Sequence, residues 1–350
     1  MFNSIIKTGI CSYGMSGKLF QAPFIQHHPG FELKGIVERT KNESKEKYPH
    51  TKIYHSIEEL LNDNEIQLVI VNTPAYTHYE YAKAAIEAGK HVIVEKPMVP
   101  TVKEAESLVH LAKNHQVLLN VYQNRRYDGD YRAVQGIIET KILGDLKEVE
   151  IKYDRYRPGL SGKAHKEGGL PGSGIFYDLG AHLIDQALQF FGWPDFLFAD
   201  IWTLRENTEA DDYFELLLFY KKLRVRLKSS VLVRETLPAY VLHGTKGSFL
   251  QQRSDLQEQQ LLAGTIPSLE PWCKSPATSD GILHTEINGE VIRKQTHSSP
   301  GNYMGYFQDI YLALTQNTPG PVPGEDGVKI IKIIEAGLQS VTEKKIITLQ

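Results

Sequence analysis

The sequence predicts an α/β protein in two parts: a doubly wound parallel sheet at the N-terminus, then an α+β domain with a large, mostly antiparallel open sheet. Three observations carry this. Short apolar strands alternate with amphipathic helices up to about residue 123. Beyond that point long strands follow one another in hairpin order. The first strand, moreover, runs into a glycine-bearing turn, Ile5 to Gly17, and then into a helix opening at Lys18-Leu19-Phe20-Gln21-Ala22. The change of pattern divides the chain into domains 1–122 and 123–350.

Length and composition exclude several classes. A chain of 350 residues can bury two cores, and 41% hydrophobic content with a formal net charge of -3 is ordinary for a globular protein. That charge gives no broad attraction to polyanions, and no basic tract is interleaved with aromatics, so no nucleic-acid partner is expected. Cys11 and Cys273 form no CxxC pair. His27, His28, His50 and His55 lack metal-ligand spacing, so no metal is expected either. With no leader and no apolar run of membrane-spanning length, the expectation is a soluble cytoplasmic protein without a membrane partner.

The turn Ser12-Tyr13-Gly14-Met15-Ser16-Gly17 has the order that a dinucleotide needs. A helix N-terminus offers unpaired N–H groups and partial positive charge to a pyrophosphate, and glycines allow close approach. Ser12 stands where the G-x-G-x-x-G pattern has its first glycine. An ordinary strand-turn-helix corner would read the same on this motif alone. The next strand, Phe31 to Arg39, favours the dinucleotide, because it ends in the charged pair Glu38-Arg39 where a Rossmann fold reads the adenosine ribose. Glu38 suits a free 2′-hydroxyl and hence NAD; Arg39, with Thr40 and Lys41, suits a 2′-phosphate and hence NADP. Arg39 stacking on adenine is a third use of that residue, so the reading leans only slightly to NADP.

The remaining elements follow in order. Ser56-Ile57-Glu58-Glu59 and Thr101-Val102-Lys103-Glu104 have the capping-box pattern and open helices. Ile66 to Val71 is apolar enough to be buried on both faces, His91 to Val94 is the next buried strand, and Val117 to Val121 is the sixth strand. The strands end at Ser12, Glu38, Asn72, Glu95 and Gln123, all on the carboxyl edge where such sheets bind ligands. In the second half, helix Tyr131 to Thr140 and strand Leu146 to Tyr153 precede a loop rich in glycine and proline, Pro158 to Gly174, and a helix, Tyr177 to Phe191. Five strands span Phe196 to Gln252, Leu256 to Asp280 reads as an irregular surface excursion, and Ile282 to Lys294 is a hairpin turning at Asn288-Gly289. Helices Tyr306 to Thr315 and Glu325 to Ser340 and a short strand, Ile346 to Leu349, close the chain.

Two constellations could carry chemistry. Lys96, in Glu95-Lys96-Pro97, lies at the cofactor edge, where its ammonium would stabilise negative charge on a substrate oxygen; a strand-end lysine paired to Glu95 is the plainer alternative. Asp178, His182, Asp185 and Gln189 form a polar stripe along one helix. An acid one turn before His182 orients the imidazole, which can take a hydroxyl proton as hydride leaves the same carbon; an incidental surface pair has the same spacing. Gln123, Arg125, Tyr153 and Arg155 are further candidates for binding hydroxyls or phosphates, whereas Arg126 and Arg157 read as solvated surface.

With these motifs in hand, the chain resembles the glucose-fructose oxidoreductase, inositol dehydrogenase and rhizopine catabolism (Gfo/Idh/MocA) family over nearly its whole length. Glu95-Lys96-Pro97 and Tyr177-Asp178-Leu179-Gly180-Ala181-His182 carry the likeness. Gly14-Met15-Ser16-Gly17-Lys18 and Gln123-Asn124-Arg125-Arg126 look most like the subgroup containing NADP-linked scyllo-inositol dehydrogenases. The resemblance implies an NAD(P)-dependent dehydrogenase of a sugar or cyclic polyol, forming homodimers or homotetramers through its open sheet. It also implies Lys96 as catalytic lysine, Asp178 as active-site aspartate and His182 as general acid/base. Ser12, Tyr13, Gly14, Met15, Ser16 and Gly17 would then line the phosphate turn, Glu38 and Arg39 the ribose end, and Thr73, Pro74 and His78 the nicotinamide flank. Glu95, Lys96 and Gln123 complete the cofactor set, and Arg125, Tyr153 and Arg155, with Asp178 and His182, the substrate set. Two rival functions share the fold: a dinucleotide-binding sensor or regulator without chemistry, and a glycosidase using tightly bound NAD.

Overall fold

The structure is a computed structural model that describes residues 4–162 and 167–349. Residues 163–166 of the glycine- and proline-rich loop therefore lie outside the described residues. The chain divides into two units: residues 4–124 with 257–273 and 302–331, and residues 125–256 with 274–301 and 332–349.

The first unit holds a parallel sheet of six strands, β1 Ile6–Ile10, β2 Phe31–Val37, β3 Lys52–Tyr54, β4 Leu68–Val71, β5 His91–Glu95 and β6 Leu119–Tyr122, in the order β3-β2-β1-β4-β5-β6. This is the doubly wound Rossmann arrangement, whose strand order reverses beside β1. The burial of β4, all four residues, is what its continuous apolar run requires. Local sequence also sets the helix starts. Thr101 and Glu104 form the reciprocal capping box of the helix Val102–His115. Ser56 accepts from Glu59 N–H at 3.2 Å, but the Glu59 carboxylate turns to His55 N–H at 2.8 Å, so that box closes one residue early.

The stretch read as a surface excursion departs from expectation. It contains a helix, Gln257–Leu262, and residues 257–273 pack into the first unit, with Leu261 and Cys273 buried. Segment 302–331 joins them there, stacking Phe307 on Phe24 at 5.3 Å between ring centroids. Aromatic packing of this kind repays the closure of a long chain loop.

The second unit is built on a sheet of nine strands: β7 Leu146–Lys152, β8 Phe196–Trp202, β9 Tyr213–Tyr220, β10 Leu223–Ser230, β11 Tyr240–Gly244, β12 Gly247–Gln251, β13 Gly281–Ile287, β14 Glu290–Thr296 and β15 Ile347–Thr348. Among the described residues of this sheet only the β7–β10 pair is parallel. Alternation gives it two unlike faces. Leu197, Leu218, Val225, Val149, Leu242, Phe249 and Leu283 are buried in register along one, while Phe196 and Trp202 stand exposed on the other. Asn288 and Gly289, both at positive φ, make the predicted hairpin turn. Among the described residues no helix is long and apolar enough to cross a membrane.

Candidate active site

In the first unit the strand-turn-helix corner begins with a π-helical turn, Gly17–Gln21, which runs into the helix Ala22–His27. A Cβ on Gly17 would lie 2.1 Å from the Ser12 carbonyl oxygen, so only glycine fits there. Ser12, in the place of the expected glycine, is absorbed by its own turn: its hydroxyl accepts from Gly14 N–H at 3.3 Å. Its carbonyl accepts from the Asn72 side-chain amide at 2.8 Å. Asn72 thus pins the Ser12-to-Gly17 turn to the end of β4, a role that sequence alone does not reveal; its position at the carboxyl edge before Thr73-Pro74 is the available clue. Asn72 Oδ1 is buried and has no partner among the described residues.

At the end of β2, Glu38 is buried and faces its own chain. Its carboxylate accepts from the N–H groups of Glu43 and Ser44, each at 2.9 Å, and from the Ser44 hydroxyl. Arg39 and Thr40 are exposed beside it, and Lys41 is paired with Glu43 at 2.7 Å.

Lys96 follows β5 and is half-buried. The neighbouring Glu95 carboxylate accepts from the Ser16 hydroxyl, from Gln21 Nε2 at 2.9 Å and from Lys96 N–H at 3.3 Å, which ties the lysine turn to the phosphate turn. His78, at the start of the helix His78–Glu87, is buried, with Nδ1 2.9 Å from the Pro97 carbonyl and Nε2 2.8 Å from the Thr73 carbonyl. Burial lowers its pKa, against the opposing pull of the two carbonyls and Glu95. Its ring therefore sits behind the Thr73-Pro74 loop. Gln123 is buried after β6, whereas Met15 is exposed and Tyr13 packs edge-on to Tyr48.

In the second unit Asp178 lies in a π-helical turn, Phe176–Gly180, and His182 in the helix Ala181–Phe191 that continues it. Sequence spacing gave a regular α-helix throughout, and the π turn is the difference. Asp211 sets the start of that turn, accepting from Phe176 N–H at 2.7 Å, and Gly174 permits it, since a Cβ there would lie 1.9 Å from Asp211 Oδ1. His182 is buried, and four residues on Gln186 accepts from the Tyr240 hydroxyl at 3.1 Å. Arg126 is a correction: it is not solvated surface but makes a bidentate pair with buried Asp185 at 2.6 and 2.9 Å, while Arg157 is exposed. Sequence read Asp185 as one member of a polar stripe; inside the fold the two parallel charge-assisted bonds offset the cost of desolvating both partners. The guanidinium carbons of Arg125, Arg155 and Arg253 lie 4.7, 4.9 and 4.7 Å from the Tyr153 ring centroid, so Tyr153 gathers three cations.

Two buried acids of this unit keep their protons to higher pH than free carboxylates do. Burial, with Asp255 nearby, pushes Asp128 up to about 8, and burial pushes Asp211 up to about 6. A raised folded pKa means that the native state keeps protons which the unfolded chain releases near pH ~4. Their contribution to stability is therefore full below that pH and is lost as pH climbs, through about 6 for Asp211 and about 8 for Asp128. Urea midpoints should fall between pH 5 and pH 8, and fall less in Asp128→Asn; an equal fall in both proteins would contradict this.

The phosphate turn, the glycine that a Cβ would close and the orphaned Asn72 Oδ1 fit a nicotinamide dinucleotide. Fold and turn together define a protein of the dinucleotide-binding Rossmann class. Residues 6–123 match the family model described as the NAD-binding Rossmann fold of the Gfo/Idh/MocA oxidoreductases, and residues 136–349 match its C-terminal alpha/beta domain. A scyllo-inositol 2-dehydrogenase (NADP(+)) of Bacillus subtilis, IolW, is 38% identical over 99% of this chain and 96% of its own. The uncharacterized oxidoreductase YdgJ of Escherichia coli is 36% identical over 98% of this chain and 99% of its own. An oxidoreductase crystal structure from Bacillus cereus superposes with a TM-score of 0.89 at 34% identity, covering 99% of both chains. The chain belongs to the Gfo/Idh/MocA oxidoreductase family. It is an NAD(P)-dependent oxidoreductase, consistent with a dehydrogenase acting on CH–OH groups.

Proposed function

We propose that the protein is an NADP-linked dehydrogenase of a hydroxyl on a sugar or cyclic polyol. The observation that carries this is the joint presence of Glu95-Lys96-Pro97 after β5 and Asp178 with His182 in a chain similar along 99% of its length to an NADP-linked scyllo-inositol 2-dehydrogenase. When bound, the dinucleotide supplies the hydride acceptor. In the oxidative direction His182 accepts the hydroxyl proton, Asp178 holds the imidazole, and the Lys96 ammonium stabilises the alkoxide oxygen. Arg125, Tyr153 and Arg155 hold neighbouring hydroxyls. Gly14, Ser16 and Gly17 take the pyrophosphate at the helix start.

The choice of NADP rests on Glu38. A buried carboxylate that already accepts from three donors of its own loop has little capacity left for a ribose 2′-hydroxyl, whereas exposed Arg39 suits a 2′-phosphate. Arg39→Ala should lower kcat/KM for NADP about 10- to 100-fold, the worth of one charge-assisted bond, with little change for NAD. A wild type that prefers NAD would contradict the assignment. The exposed Phe196 and Trp202 on the open face of the nine-stranded sheet favour pairing of two copies of the chain there.

A further inference from the structure

We propose that His78 is a positioning residue for Lys96, bracing the backbone from which the lysine side chain starts. The proposal rests on the reading of Lys96 as the group that stabilises the substrate oxygen. Lys96 stands between two residues anchored to other parts of the first unit. On one side, the Glu95 carboxylate is tied to Ser16 of the glycine-bearing turn and to Gln21 of the π-helical turn that follows it. On the other, the Pro97 carbonyl lies 2.9 Å from His78 Nδ1, and the opposite ring nitrogen lies 2.8 Å from the Thr73 carbonyl, in the loop after β4. The ring is 1% exposed, so solvent does not compete for it. The neutral imidazole has a single N–H; we place it on Nδ1, donating to the Pro97 carbonyl, with the other nitrogen packed against the Thr73 loop. A rigid imidazole thus spans the turn that carries Lys96 and the loop assigned to the nicotinamide flank. Lysine has a flexible four-carbon stem, so its backbone origin must be fixed if its ammonium is to be placed to within an ångström. Displacement by ~1 Å costs about 100-fold in rate.

Two readouts on the full-length protein test this, with His78→Ala and with His78→Gln, which restores N–H donors. Hydrogen exchange followed by mass spectrometry needs no substrate. In His78→Ala the amides of Glu95, Lys96, Met98 and Val99 should exchange at least about 10-fold faster, with β1 and β4 unchanged and His78→Gln intermediate. Unchanged exchange at those four amides in both variants would overturn the proposal. In the dehydrogenase assay His78→Ala should lower kcat about 30- to 100-fold, with substrate KM and NADP Kd within about 3-fold and His78→Gln recovering most of the loss. A rise in KM or Kd with kcat intact would also overturn it. If the wild type oxidises no polyol or sugar, the chemical reading of Lys96 fails by itself, and the exchange experiment still decides whether His78 braces the turn.

Discussion

Lys96→Met and His182→Ala are each expected to lower turnover by about 100- to 10,000-fold, the usual worth of a positioned acid/base or charge-stabilising group, while dinucleotide Kd stays within about 3-fold. The reasoning differs for the two. Methionine keeps most of the lysine stem and removes the ammonium, so the loss reports charge stabilisation at the substrate oxygen. The anchors of the turn, Glu95 to Ser16 and Gln21, and Pro97 to His78, do not involve the Lys96 side chain and should survive. Alanine at 182 removes the proton acceptor from a helix that suits alanine well, so the fold of that helix should persist. Isothermal titration with NADP, beside kcat on the same preparations, separates the two effects. Loss of cofactor binding in either variant would mean that these residues hold the dinucleotide rather than the substrate.

Gly17→Ala should have an equally large effect for the opposite reason: it should abolish cofactor binding. The added methyl would stand 2.1 Å from the Ser12 carbonyl oxygen, well inside van der Waals contact, and Asn72 holds that carbonyl in place at 2.8 Å. Either the turn opens or the helix start moves outward, and both displace the N–H groups that receive the pyrophosphate. Kd for NADP should rise by at least about 100-fold, because phosphate binding at a helix N-terminus depends on several bonds made together. Gly136→Ala is the internal control, since it lies outside that turn and a Cβ there has nothing within 4 Å. Equal losses in the two variants would contradict the geometric account.

The order of elements was legible because each half has its own periodicity. Strands such as Leu68–Val71 are apolar throughout, those of the second sheet alternate, and the positive-φ pair Asn288-Gly289 marks its hairpin. What sequence does not carry is where a segment goes after leaving its neighbours. Residues 257–273 look polar and irregular, yet Leu261 and Cys273 are buried in the first unit. The candidate site was legible as a set of residue types at strand ends, less so as a set of partners. Glu38 reads as a ribose acceptor until its loop, Glu43 and Ser44, is seen to fold back onto it. Arg126 reads as surface until Asp185, 59 residues on, is found beside it. Both depend on contacts between residues that local pattern does not relate.

The central claim is that this chain moves hydride between a nicotinamide dinucleotide and a free polyol or sugar hydroxyl. The most direct measurement is absorbance at the reduced-nicotinamide band, with NADP and then NAD, across a panel of inositol isomers and aldoses. The account predicts reduction of NADP by at least one free cyclic polyol or sugar, faster than reduction of NAD. No reduction with any of them, despite measurable dinucleotide binding, would contradict it; retention of NAD through purification would then point to a glycosidase, and its absence to a sensor.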